Sequence, residues 1–340
     1  MKAAGNPKVG NSKDGQGGAR VRRARRAGAV AAIDLGTNNC RLLIAAAQPS
    51  GGYRVLDSYS RIVRLGEGLA RTGELSDAAI ARTVSALKIC ARRLERHAPL
   101  ALRAIATEAC RRARNAEALV ARVRSEAGIA LEIVSHDEEA RLAALGCAPL
   151  LGSGFEGALI FDIGGGSTEI IRLRRNGKQV ETLFAASVPF GVVTLGEGPS
   201  GGDFARLVAE VTPALAHVAQ RMAAEAGPFD PAAHHLLGTS GTVTTLAGVA
   251  LGLGCYDRRK IDASWHDSRT LLDVAERLAA LLPAERGHVG CVGTARADLM
   301  LPGCAMFAAI HAQWPCARLR VADRGLREGI LRELMQEARA

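Results

Sequence analysis

Short apolar runs that stop at turn residues alternate with longer stretches of helical period. Two of the short runs, 30–33 and 159–161, end on an aspartate and a glycine turn, and each leads into a second run, 41–47 and 169–174. Runs of that length between turn signals read as buried strands. Asn176-Gly177 marks a hairpin, because both central residues of a type I′ turn need positive φ, and 179–189 supplies the next strand. Elsewhere the period lengthens. Ile80, Val84, Leu87, Ala91 and Leu94 recur at spacings of three and four behind Ser76-Asp77, which predicts a capped helix with one apolar face. Strands at 101–106 and 131–135 and helices at 115–127, capped by Asn115, and 138–147 follow. Beyond them come a helix at 203–226, a strand at 235–237, helices at 267–282 and 297–313, a strand at 319–322 and a last helix from Leu326. Strands alternating with helices predict an α/β fold of mixed sheets with helical faces.

An internal duplication organises this pattern. AAIDLGTNNCRLLI at 31–44 and LIFDIGGGSTEIIR at 159–172 align at a single offset of 128, which pairs Asp34 with Asp162 and Gly36 with Gly164. Leu65-Gly66-Glu67-Gly68 returns as Leu195-Gly196-Glu197-Gly198 at an offset of 130. Matches in one order at one spacing predict two halves of one design. Gly146, Pro149, Gly152, Ser153 and Gly154 thin the pattern between them, so the domains are expected at 30–142 and 143–340, with the last helix free to pack back on the first.

Composition adds limits. At 340 residues, 48% hydrophobic and 23% charged, the chain has material for two soluble domains, and charges interrupt every run that approaches a membrane span. Its eight cysteines include no C-x-x-C pair and read as small core residues of a reducing, cytoplasmic compartment. Residues 1–29 hold eight Lys and Arg against Asp14 alone, +7 of the net +10. That segment is expected to be a disordered basic arm, a solvated tail or a weak polyanion contact. It has no apolar stretch to serve as a twin-arginine export signal.

The two glycine turns carry the chemistry. Backbone N–H groups converging in such a turn bind anions, phosphate above all. Asp34, Gly36, Thr37 and Asn38 form the first candidate loop, and Asp162, Gly164, Gly165, Gly166 and Ser167 the second. The carboxylates of Asp34, Asp162 and Glu169 would repel bare phosphate unless a divalent cation lies between, which suggests Mg²⁺. Neither loop is a Walker A or dinucleotide motif, since no Lys follows and no helix opens there. Gly238, Ser240 and Gly241, within G-T-S-G-T, are expected to close the cleft; the flanks are not those of a nucleophile elbow. His234-His235 opens a strand whose alternation turns one of the pair inward, and it lacks the company of a metal site.

AAIDLGTNNC, FDIGGGSTE and GTSGT resemble the phosphate loops of the actin, Hsp70 and sugar kinase superfamily. With Ala106-Thr107-Glu108-Ala109-Cys110-Arg111-Arg112, Ser135-His136-Asp137-Glu138-Glu139-Ala140-Arg141, Leu301-Pro302-Gly303 and Asp323-Arg324-Gly325-Leu326-Arg327-Glu328-Gly329, the chain resembles the exopolyphosphatase and guanosine pentaphosphate phosphohydrolase family from about residue 30 to 338. The resemblance implies two ribonuclease H-like, actin-like ATPase domains with mixed sheets and a cleft between them. It implies Glu139 as general base, Arg111 as a phosphate grip, Asp162 and Glu169 as Mg²⁺ ligands, and Asp34, Thr37 and Asn38 in the first phosphate loop. The implied reaction is hydrolysis of the terminal phosphoanhydride of inorganic polyphosphate, with guanosine pentaphosphate as the alternative substrate. A homodimer is the expected assembly. Arg324 departs from the small residue expected there. Longer relatives carry a further helical domain, so the resemblance implies a weaker grip on long polymers. An ATP-dependent kinase, a nucleotide-switched scaffold and a nucleic-acid-binding arm stay open as alternatives.

Overall fold

The computed structural model describes residues 28–49, 52–177 and 179–338. The expected basic arm lies outside the described residues up to residue 27, and Ala29 already belongs to the first strand. In the first lobe β1 (Ala29–Leu35), β2 (Asn39–Ala47) and β3 (Tyr53–Ile62) form an antiparallel meander. Then come α1 (Asp77–His97), β4 (Ala101–Ala106) parallel to β1, α2 (Ala116–Ala127) and a two-residue β5 (Glu132–Ile133). The sheet order is β3-β2-β1-β4-β5.

The second lobe repeats the scheme. The chain continues through α3 (His136–Cys147), the meander β6 (Gly157–Ile163), β7 (Thr168–Asn176) and β8 (Gln179–Val188), then α4 (Phe204–Ala226), β9 (His234–Thr239) and α5 (Gly241–Ala250). It ends with β10 (Trp265–Asp267), α6 (Ser268–Ala280), α7 (Ala297–Gln313), β11 (Arg318–Ala322) and α8 (Leu326–Glu337). This sheet runs β10-β11-β9-β6-β7-β8, with β9 parallel to both β6 and β11. Without the edge strand β10 it is the first sheet strand for strand.

Local differences from the sequence reading have physical causes. The α3 helix begins at His136 because Ser135 Oγ accepts the Glu138 N–H, leaving β5 shorter than expected. Asn115 stands at the start of α2 but does not cap it: its amide bonds the backbone N–H and C=O of Leu75. Both His234 and His235 are buried, because β9 lies inside a sheet covered on both faces; His235 packs edge-on to Phe155 and Trp265, and His234 against Phe229. Helices of four to six residues, such as Glu108–Arg112 and Val192–Gly196, carry too few turns to show a period in sequence.

The lobes exchange helices where the chain crosses. Ala140, Ala143, Ala144 and Cys147 of α3 pack on Ile160, Ile171 and Leu237 of the second sheet. Ile330, Leu331 and Leu334 of α8 pack on Val30, Ala32, Leu43 and Ile105 of the first. The expected division at 142/143 therefore falls within α3. Each buried Val, Leu or Ile among these is worth about 1.5–3 kcal/mol of burial. Arg103 on β4 bridges Glu132, Glu138 and Glu333, and Arg141 joins Glu138 to Glu333, so charge ties α3, α8 and the first sheet together. Glu139 is thereby placed on the first turn of a helix fixed from both sides.

Candidate active site

The β1–β2 and β6–β7 hairpins point at each other from the two lobes. Each closes with the same hydrogen bond, Gly36 N–H to Asn39 C=O and Gly164 N–H to Ser167 C=O, both 2.9 Å. They touch where a Cβ on Gly165 would stand 2.8 Å from Thr37 Cβ and one on Gly166 would stand 2.8 Å from Thr37 Oγ1, so only glycine permits the approach. Beside the contact lies a cavity of about 440 Å³.

Most residues singled out in the sequence line this cavity: Asp34, Gly36, Thr37 and Asn38 from the first hairpin, Asp162, Gly164, Gly165, Gly166, Ser167 and Glu169 from the second, together with Glu139, Ser240 and Gly241. Ser240, at φ 107°, caps α5 through its hydroxyl, which accepts the Thr242 N–H, so the first turn of α5 opens on the cavity. Gly238 does not line it. A Cβ there would meet Phe161 and Val243 at 2.6 and 2.7 Å, so that glycine serves packing. Arg111 does not line it either.

Carboxylates dominate one wall. Burial pushes Asp162 up to about 6, and the nearby Asp34 adds to the shift against the opposing charge of Arg41. Burial and then the charge of Asp162 push Glu169 up to about 7, although Ser167 and Ser187 hydroxyls donate to its Oε1 at 2.8 and 3.0 Å. Glu139 is raised well above the ordinary carboxylate range, first by burial and then by Glu169, with Arg111 opposing. Arg111 Nη1 stands 2.8 Å from Glu139 Oε2, yet that oxygen has no aligned hydrogen-bond donor among the described residues. One ligand atom from each of His136, Glu139 and Glu169 falls in a group within 4.8 Å.

Cations face this wall. Arg41, Arg296 and Arg327 line the cavity, and among the described residues none of the three sits in an ion pair. Burial and the charge of Arg41 lower the proton affinity of Arg296. Sequence reasoning passed over all three. Arg41 had a signal, since the offset of 128 aligns it with Glu169, and Arg327 lies within the quoted segment 323–329; Arg296 had none. Arg324, the unexpected cation, is neutralised by Asp262 at 2.6 Å. Apolar residues line the cavity as well, among them Val292, Ala295, Leu299 and Met300.

Two lobes of one topology, joined by exchanged helices and clasping a cavity between glycine hairpins, define an actin-like two-domain fold built around a cleft. Residues 43–338 match the Ppx/GppA phosphatase family, and the chain belongs to it. It is 34% identical over 281 residues to Exopolyphosphatase 2 of Mycobacterium tuberculosis, covering 80% of this chain and 86% of that one. Among solved structures it is similar to the Aquifex aeolicus Ppx/GppA family member, at TM-score 0.73 and 28% identity over 91% of this chain and 98% of that one. An exopolyphosphatase-like protein matches at TM-score 0.80 and 26% identity, over 91% and 99% of the two chains. No helix among the described residues is long and apolar enough to cross a membrane.

Proposed function

We propose that this chain is an exopolyphosphatase, hydrolysing the terminal phosphoanhydride bond of inorganic polyphosphate to release orthophosphate. The observation that carries the reading is Glu139: a carboxylate of high proton affinity on the wall of the cavity that both glycine hairpins line. In this reading Glu139 takes a proton from water as the water oxygen bonds to the terminal phosphorus. The bond from phosphorus to the bridging oxygen breaks, and the shortened chain leaves with that oxygen. Hairpin N–H groups, Thr37, Arg41, Arg296 and Arg327 hold the phosphate oxygens.

The donor set fits a hard divalent cation such as Mg²⁺. Asp162 and Glu169 are cross-strand partners, neither is in an ion pair among the described residues, and their shared negative charge is what raises Glu169 beyond burial alone. Those two would hold the ion, which when bound supplies positive charge to the phosphate oxygens. Eight free thiols accord with a reducing cytoplasm.

The alternative substrate is guanosine pentaphosphate, whose nucleoside the same cavity of about 440 Å³ has room to take. Phosphate release measured on short polyphosphate, long polyphosphate and guanosine pentaphosphate, without any acceptor, separates the two. Turnover on polyphosphate that Glu139→Gln abolishes while orthophosphate still binds is the expected result. Product that forms only with an acceptor present would instead identify a kinase.

A further inference from the structure

The resemblance casts Arg111 as a phosphate grip, but its donors are spent elsewhere. Nε and Nη2 both donate to Glu108 Oε2 at 3.2 and 3.0 Å, Nη1 donates to Val134 C=O at 2.9 Å, and Nη2 also donates to His136 Nδ1 at 3.1 Å. Four of its five N–H groups are thus engaged, and the remaining edge faces Glu139. Glu108 is itself buried, with 7% of its side chain exposed, and lines the cavity that Arg111 does not.

We propose that Glu108 and Arg111 form a positioning pair that orients Glu139 and does not grip the phosphate. Glu108 balances the guanidinium charge inside the protein, as a buried ion requires. The guanidinium in turn joins three places: the short helix Glu108–Arg112, the Val134 carbonyl that leads into α3, and the first turn of α3 itself. It holds the Glu139 carboxylate at 2.8 Å, Nη1 to Oε2, and so fixes where that carboxylate meets the cavity. A guanidinium moved onto the phosphate would give up both of its hydrogen bonds to buried Glu108, leaving that carboxylate only Arg112 at 4.0 Å and His136 at 3.5 Å.

The inference rests on Glu139 being the base, so Glu139→Gln is measured in parallel. The experiment determines kcat and KM for phosphate release from short polyphosphate, and the inhibition constant of orthophosphate, for Glu108→Gln, Arg111→Lys and the double variant. Each single change is expected to lower kcat about 30-fold while KM and the inhibition constant stay within about twofold, and the double variant to be no slower than the slower single, as for groups acting as a unit. A grip would show the opposite split, with KM and the inhibition constant of Arg111→Lys rising and kcat kept; that result overturns the proposal. So does a Glu108→Gln enzyme with native kcat. Should Glu108→Gln fail to fold, the split in Arg111→Lys alone decides. Full activity in Glu139→Gln would instead defeat the functional reading itself.

Discussion

The two hairpins have the same hydrogen bond, register and offset, yet opposite charge at one position. In the first, Asp34 lies across from Arg41; in the second, Asp162 lies across from Glu169. In the first, Arg41 opposes the charge of Asp34, which burial still raises, and can present its guanidinium to an anion. The second holds two buried carboxylates, Glu169 raised further by the charge of Asp162, and it asks for a cation. In the proposed reading, duplication supplied two equal cradles, and a single position divided them into one for phosphate and one for metal. The later repeat shows the same division. Glu67 stays in its own lobe with Arg82, whereas Glu197 crosses to accept the Gly68 N–H with both oxygens, at 3.0 and 3.1 Å.

The charge contrast is broken most severely at Glu169. Glu169→Gln keeps the shape but removes one charge of the acidic pair, and a loss of about 10³-fold in kcat is expected, comparable with removing one charge-stabilising group from an active site. Calorimetric titration with Mg²⁺ checks the cause, since heat of binding should vanish together with turnover. Retained Mg²⁺ binding would move the metal away from the second hairpin.

Arg41→Ala tests the other side. Loss of a charge-assisted contact to substrate predicts a KM about 30-fold higher with kcat changed much less, measured on short polyphosphate. If kcat falls and KM holds, Arg41 serves Asp34 and not the anion.

The contact between hairpins offers a subtler test. Thr37 and Gly165 are the same position in the two copies, and they meet each other across the cleft with room for one Cβ. Gly165→Ala is expected to cost about 1–3 kcal/mol of stability by overpacking and to lower the melting temperature. Adding Thr37→Gly should recover most of that loss. A double variant no better than the single would show that strain resides elsewhere.

How much of this was legible in sequence follows from what each signal measures. The duplicated strands, the hairpin at Asn176-Gly177 and the long helices were plain, because apolar period and turn chemistry act locally. The hairpin residues of the site were readable for the same reason, lying within a few positions of a repeated glycine motif. Arg296 was not, because it reaches the cavity from the start of α7, whose placement depends on the packing of the whole second lobe. Asn115 misled for a related reason: its type suits a cap, but a tertiary partner at Leu75 took the amide.

The smallest effect sets the lobes apart by acid. In sheet register Ala101 of β4 answers Val30 and His235 of β9 answers Ala158, the equivalent of Val30, so one lobe has a half-buried alanine where the other has a buried imidazole. Burial lowers His235 to about 4, and its Nε2 accepts the Gly152 N–H, a bond that requires the neutral ring. The unfolded chain takes up that proton near pH 6.5, as model histidines do. Stability from the neutral state is therefore whole above about 6.5 and falls as pH drops toward 4, because the unfolded chain binds the proton first. At pH 5.5 the loss is expected to be about 1 kcal/mol relative to pH 7.5, read from the urea midpoint. His235→Phe should be less stable at both values but lose less between them, and an equal loss in the variant would assign the acid sensitivity to other groups.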